Sequence, residues 1–188
     1  MLSRLQRRKA GQLFERFDRD GSGALTYGDF YDVARETVRR TYPDPGELER
    51  HLRTVDADLK PWWDFITRLD RNADGEVSLD EWLRGYEDFV MKDVAGFGSV
   101  LLKISGTWFE NADVDHDGLL TYDEYLSLFA VPGIQTPQEA RAAFTRMDSR
   151  GTGQVSKAQY ILTVYDFFVG DDAGTPGAVF MGDTTKPA

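Results

Sequence analysis

The chain has 188 residues, a formal charge of −10, no cysteine and 13% aromatic residues. That length can bury a real core as one domain or two small ones, and the acidity argues against a nucleic-acid partner. The lack of cysteine excludes disulfides, thiol nucleophiles and zinc–thiolate sites.

The first helix is expected over 3–17, with Leu5, Leu13, Phe14 and Phe17 on its apolar face and Arg4, Arg7, Arg8 and Lys9 as a solvated basic face. A loop follows at 18–29. It sets oxygen donors at its positions one (Asp18), three (Asp20), five (Ser22) and twelve (Asp29), a backbone carbonyl at seven (Ala24), and Gly23 at the sharp turn. Phe30, Tyr31, Val33, Ala34 and Val38 continue a second helix, which should stop near Thr41 because Pro43 and Pro45 cannot extend it. Asp44-Pro45-Gly46-Glu47 opens the next helix. It is expected over 47–69, with Pro61 kinking or splitting it and Trp62, Trp63, Phe65, Ile66 and Leu69 as its apolar part. The loop pattern then returns at 70–81, with Asp70, Asn72, Asp74, the carbonyl of Glu76 and Glu81 as donors and Gly75 at the turn.

Trp82, Leu83, Tyr86, Phe89 and Val90 form the helical face after that loop. Ala95-Gly96-Phe97-Gly98-Ser99 is the expected link, dividing the chain into pairs at 1–95 and 96–169 with a tail at 170–188. Val100, Leu101, Ile104, Trp108 and Phe109 line the helix into the fullest loop, 113–124. Its donors are Asp113, Asp115, Asp117, the carbonyl of Leu119, and Glu124; Gly118 makes the turn, and Thr121 would hold a ligand through water. Tyr125, Leu126, Leu128 and Phe129 leave it, Val131-Pro132-Gly133 ends that helix, and Thr136-Pro137-Gln138-Glu139 opens another, bearing Ala143, Phe144 and Met147. In the fourth copy, 148–159, Gly153 and Val155 keep the frame, but Arg150 puts a cation at a ligand position and Gln159 replaces the closing acid. No metal is expected there. Tyr160, Ile161, Val164, Tyr165, Phe167 and Phe168 follow; in the tail, Val179-Phe180-Met181 either docks on the core or stays with a disordered end.

Hard oxygen donors in this number suit Ca²⁺. The ten carboxylates at ligand positions of loops one to three equal the whole formal charge of −10, so the acidity reads as metal ligands. Loop three, with four acids, is expected to bind tightest. Loop one ends in the shorter Asp29, which weakens Ca²⁺ and favours the six-fold shell of Mg²⁺. The eighth loop positions, Leu25, Val77, Leu120 and Val155, are all apolar. They are expected in short strands that pair loop one with two and three with four, so that loop four shields the strand edge of loop three without binding metal.

The first donors stand at 18, 70, 113 and 148, and the chain ends Gly170-Asp171-Asp172 through Pro176-Gly177-Ala178-Val179-Phe180-Met181-Gly182. With the loops, these features resemble the EF-hand superfamily and, within it, the sarcoplasmic calcium-binding protein and calerythrin group. The resemblance implies an all-α fold: four EF-hand helix-loop-helix units in two pairs packed into one compact globule over an aromatic interior, with short paired loop strands. It implies calcium buffering or signalling, and no enzyme. Only 4 Met stand against 12 Phe, 8 Tyr and 4 Trp, which favours a closed buffer over a sensor opening a Met-rich groove to a target protein. A remote alternative is a carrier of an apolar small molecule in the aromatic interior. Photoproteins resemble this layout but use several cavity histidines; here there are 2, His51 and an outward-facing His116. No apolar run reaches ~18 residues and the basic start is unlike a secretory signal, so a cytoplasmic monomer is expected.

Overall fold

The computed structural model describes residues 1–129 and 134–182, with the backbone alone at 89, 91 and 94. The expected end of a helix at Val131-Pro132-Gly133 lies outside the described residues. The first pair of units consists of α1 (Arg4–Phe17), β1 (Ala24–Leu25), α2 (Tyr27–Thr41), α3 (Pro45–Leu52), α4 (Val55–Ile66), β2 (Val77–Ser78) and α5 (Leu79–Gly85), which runs on as a π-helical turn (Tyr86–Met91). The second consists of α6 (Val94–Ala112), β3 (Leu119–Thr121), α7 (Tyr122–Phe129), α8 (Pro137–Met147), β4 (Gln154–Ser156) and α9 (Lys157–Val169), followed by a 3-10 turn (Pro176–Val179).

The strands pair as the apolar eighth positions require. β1 is antiparallel to β2 with Leu25 opposite Val77, and β3 is antiparallel to β4 with Leu120 opposite Val155. All four side chains are buried, at 0–1% exposure. One hydrophobic cluster runs through both pairs, from Phe14 and Phe17 through Trp62, Phe97 and Phe109 to Phe168 and Phe180. Its aromatics touch across the halves: Trp62 meets Phe168 edge-on at 6.1 Å, and Tyr86 stacks on Phe168 at 6.0 Å while its hydroxyl donates to the Phe168 carbonyl at 2.6 Å. The π turn begins at Tyr86, the residue that makes this crossing.

Three expectations are corrected. The helix drawn over 47–69 is two helices, broken at Arg53–Thr54 and not at Pro61. The Thr54 hydroxyl and backbone N–H both donate to the His51 carbonyl, at 3.0 and 3.1 Å, closing α3. Pro61 stays inside α4, because the carbonyl it cannot bond belongs to the exposed Ala57, which water can serve. The second correction moves the link. Residues 95–99 lie within α6, and the turn between the pairs falls at Lys92–Asp93. Asp93 caps α6 by accepting from the Gly96 N–H at 3.1 Å, and a Cβ at Gly96 would come within 2.2 Å of that carboxylate. That glycine serves a helix cap, so its presence misleads as a loop signal.

The third correction concerns α1. Its buried face is Gln6, Lys9, Ala10, Leu13, Phe14 and Phe17, while Leu5 is only half-buried. Lys9 is 1% exposed and does not belong to a solvated basic face. Its ammonium donates to the carbonyls of Asp166 and Gly170 at 3.1 and 2.7 Å, and Gln6 donates to Val169 at 2.9 Å, so both side chains satisfy the open end of α9. At the other end of α1, Arg16 donates to the Ile134 carbonyl and pairs with Glu139 at 2.9 Å. The tail docks: Phe180 and Met181 are buried at 4% and 3%, and Gln135 donates to the Phe180 carbonyl at 2.9 Å.

Burial pulls the Lys9 ammonium down from 10.5 to about 8, with Asp166 and Asp171 opposing the shift. The folded state then holds this proton less tightly than the unfolded chain, so the penalty is greatest below pH 8 and fades as pH rises to 10.5. In denaturant unfolding, the parent protein should therefore gain stability relative to Lys9→Met across that window. A difference that stays flat with pH would show an ordinary amine.

Candidate metal centres

Each loop is closed by one repeated contact. The N–H of the sixth residue donates to a carboxylate oxygen of the first aspartate: Gly23 to Asp18, Gly75 to Asp70 and Gly118 to Asp113, each at 3.0 Å, and Gly153 to Asp148 at 2.6 Å. These glycines have φ between 79° and 87°, the left-handed region that an L side chain resists. The third position turns inward the same way, because Asp20, Asn72 and Asp115 each accept from the N–H two residues on, at 2.9, 3.0 and 3.2 Å. Those backbone donors hold the Asp20 carboxyl below the usual carboxylate range, the Ser22 N–H first among them.

The donors gather most closely in loop three. Carboxylate oxygens of Asp113, Asp115 and Asp117 lie within 4.8 Å of one another. Asp113 is buried, whereas Asp115 and Asp117 are open to solvent. Three carboxylates this close make an all-oxygen set that fits a hard divalent cation and suits Ca²⁺. In loop two, Asp70, Asn72 and Asp74 hold one another through their neighbours' N–H groups, with Asn72 Nδ2 donating to Asp74 at 2.7 Å. In loop one, the Ser22 hydroxyl lies 3.3 Å from Asp18 and 3.0 Å from the Ala24 carbonyl, which brings positions one, five and seven together. In loop two the Glu76 N–H donates to Asp74 at 3.0 Å, which ties the seventh position to the fifth.

The twelfth position has two duties. Its carboxylate accepts from the backbone N–H of position nine in the form of a helix capping box: Asp29 from Thr26, Glu81 from Ser78 and Glu124 from Thr121, at 2.9, 3.0 and 2.8 Å. The ninth hydroxyl donates to that same carboxylate at 2.7 Å in all three loops, so Thr121 engages Glu124 where a water-mediated ligand was expected. The second oxygen of Glu81 and of Glu124 reaches across the loop to the N–H of position two, at 3.0 and 3.2 Å. Asp29, one methylene shorter, is engaged by Thr26. Ser78 contributes most to lowering the Glu81 pKa.

Loop four keeps the frame and changes the chemistry. Gln159 accepts from the Ser156 N–H at 3.0 Å and from its hydroxyl at 2.7 Å, as an acid would. Its other end is an amide nitrogen donating to the Met147 carbonyl at 3.2 Å. A donor therefore stands where the crossing oxygen of Glu81 or Glu124 stands. Arg150 lines the loop-four cleft beside Ser149, Thr152 and Gln159.

One feature of the loops was missed from the sequence. The fourth position is left-handed throughout: Gly21 and Gly151 in loops one and four, but Ala73 (φ 59°) in loop two and His116 (φ 58°) in loop three. The glycines at the same place in the other two copies were the available signal. His51 stacks on Tyr42, with ring centroids 3.7 Å apart, and does not line the interior.

Comparison with known proteins gives consistent findings. The family described as EF hand matches at residues 11–34, 64–85 and 106–129, which enclose loops one to three. Calerythrin of Saccharopolyspora erythraea is 28% identical over 160 residues, covering 84% of this chain and 88% of its own. Among solved structures, a sarcoplasmic calcium-binding protein from amphioxus superposes with a TM-score of 0.68 at 20% identity over 100% of both chains. The coelenterazine-binding protein from Renilla muelleri, in its calcium-loaded apo form, superposes with a TM-score of 0.69 at 21% identity, over 97% of this chain and 99% of that one. Both share the fold.

Left-handed backbone costs a side-chain-bearing residue about 1–2 kcal/mol, and glycine gives back up to ~1 kcal/mol through its unfolded-state freedom. Ala73→Gly should therefore raise the stability of the calcium-free protein by up to about 1 kcal/mol, or ~2–4 °C in Tm for a chain of this size. A fall in Tm by calorimetry would refute the strain.

Proposed function

Because the chain belongs to the EF-hand family, we propose that this calcium-binding protein is a buffer with three functional loops and a structural fourth. The observation that carries the buffer reading is the single apolar interior. The faces that a sensor turns outward on binding calcium are here packed against the opposite pair, Trp62 and Tyr86 on Phe168 and Phe65 on Phe97. Met147 and Met181, the adaptable residues a sensor would display, are each 3% exposed.

In this reading Asp113, Asp115, Asp117, the Leu119 carbonyl and Glu124 hold the tightest ion. Asp70, Asn72, Asp74, the Glu76 carbonyl and Glu81 hold the second. Asp18, Asp20, Ser22, the Ala24 carbonyl and Asp29 hold the weakest, with Mg²⁺ competing there because Asp29 is too short to grip with both oxygens. The proposed state is a monomer and the proposed compartment the cytoplasm; among the described residues no helix is long and apolar enough to cross a membrane.

One observation favours a second reading, carriage of a small apolar molecule. The shared interior contains a cavity of about 110 Å³ lined by both pairs, and the structural neighbour from Renilla is named for binding coelenterazine.

Calorimetric calcium titration with and without millimolar Mg²⁺, run beside a hydrophobic-dye assay, tests the first reading. Three ions bound with no new dye-accessible surface are expected. A calcium-dependent rise in dye signal would mean a sensor with a target protein. Glu124→Gln should remove the tightest step, and Asp29→Glu should strengthen the weakest Ca²⁺ step and reduce its sensitivity to Mg²⁺. An unchanged isotherm for either variant overturns the ranking of the loops.

A further inference from the structure

The two pairs are hydrogen-bonded to each other beside their candidate ion sites. α2 begins at one such site and ends against another. Its third residue is Asp29, the twelfth residue of loop one, and its 15 residues span about 22 Å. Its far end meets both helices that flank loop three. The Tyr42 hydroxyl donates to the Asn111 carbonyl at 2.7 Å, in the last turn of α6 and two residues before Asp113. The Thr41 hydroxyl lies 3.2 Å from that of Ser127, which itself donates to the Glu124 carbonyl at 2.7 Å. Glu124 closes loop three. A short relay therefore runs from the backbone of that acid, through Ser127 and Thr41, into the helix that carries Asp29.

The threonines give this relay two settings, because each hydroxyl has one proton and two oxygens in reach. Thr41 can serve the Thr37 carbonyl of its own helix at 3.0 Å or Ser127 at 3.2 Å. Thr37 can serve the Val33 carbonyl at 3.0 Å or the Leu128 carbonyl of α7 at 3.4 Å. The proton stays bonded in either setting, so the tie to α7 is made or released without stranding a donor. The strands give loop three no comparable route to a second ion. β3 pairs it with β4, and so with loop four, where Arg150 and Gln159 stand in place of acids.

We infer that α2 couples the ion sites of loops one and three across the pairs, with Tyr42 and Thr41 as the positioning residues that carry the coupling. This rests on the three-site reading above and adds a dependence between two of its sites. The sign follows from the geometry. The conformation that gathers Asp113, Asp115 and Asp117 within 4.8 Å is the one in which Tyr42 and Thr41 reach α6 and α7. An ion in loop three stabilises that conformation, fixes the far end of α2 and so holds Asp29 in place for loop one. Filling either loop raises the affinity of the other.

The test follows the amides of Gly23, Gly75 and Gly118 in proton–nitrogen correlation spectra of the full-length protein, in chelator-buffered calcium without magnesium. Each amide donates to the first aspartate of its own loop and so reports its own ion. Emptying loop three with Glu124→Gln should raise the Gly23 midpoint at least about fivefold. Tyr42→Phe combined with Thr41→Val leaves every loop donor in place. It should raise that midpoint by a similar factor while Gly118 still responds to calcium. Adding Glu124→Gln to the combined variant should raise it no further. Tyr42→Phe alone keeps the ring on His51 and should give part of the shift, which keeps the test decisive if the combined variant does not fold. An unchanged Gly23 midpoint in Glu124→Gln would overturn the coupling. A Glu124→Gln shift that persists undiminished without the Tyr42 and Thr41 hydroxyls would overturn the roles given to these two residues. A Gly23 amide that ignores calcium in the parent protein would overturn the three-site reading itself, and this inference with it.

Discussion

Everything in this fold hangs on the hydrogen bond from the sixth loop residue back to the first aspartate. It folds each loop on itself and aims that carboxylate at the centre. It also delivers the chain, two residues later, into the strand that pairs with the neighbouring loop. From there the apolar eighth residue enters the core, and the twelfth residue caps the outgoing helix. Ion ligands and core residues therefore alternate along the same few peptides. A cation at the centre would pull on the carboxylate that positions the outgoing helix, and that helix belongs to the shared interior. Loop four shows that the frame survives the loss of the acids at the third and twelfth positions. Asp148 keeps the closing contact at 2.6 Å and Gln159 keeps the cap, although Arg150 and the Gln159 amide have removed the acid chemistry. What survives is the pairing of Val155 with Leu120, which keeps the loop-three strand from being an open edge.

The loops were legible because their information is local. Twelve residues specify the turn, the donors and the cap, and four copies make the register unmistakable. The apolar eighth positions carried the strand pairing for the same reason. Legibility failed where the deciding partner is distant in the chain. Lys9 was read as part of a solvated basic face, yet its partners lie at 166 and 170, and the neighbouring Gln6 and Arg16 likewise bond to 169 and to 134 and 139. Polarity marks solvent only when no buried carbonyl lacks a donor, and α9 ends in several. Glycine misled in the opposite sense: Gly96 was read as a linker residue, but its missing Cβ makes room for the Asp93 cap.

α1 is consequently more than the entry to loop one. It crosses from the end of α9 to the start of α8, with Trp82 of α5 also bonded to its Ala10 carbonyl. Three of its polar side chains bind backbone or charge of the second pair. Two EF-hand pairs could in principle move as separate bodies, and this helix opposes that. Moving the pairs apart would strip the α9 carbonyls of their donors and leave Lys9 without its acceptors.

Two features of the fold bear on its response to a cation. One is repulsion among the loop carboxylates, which a divalent cation relieves, so that calcium stabilises the fold by linkage. The other is the cavity. The two features meet at one place. The Tyr42 hydroxyl on the cavity rim donates to the Asn111 carbonyl at 2.7 Å, in the last turn of α6, two residues before the first aspartate of loop three. Thr41 on the same rim contacts Ser127 of α7, the helix leaving that loop, at 3.2 Å. The rim is thus tied to both helices flanking the loop richest in carboxylates. If a molecule in the cavity altered calcium affinity, calcium would alter that molecule's affinity by the same factor.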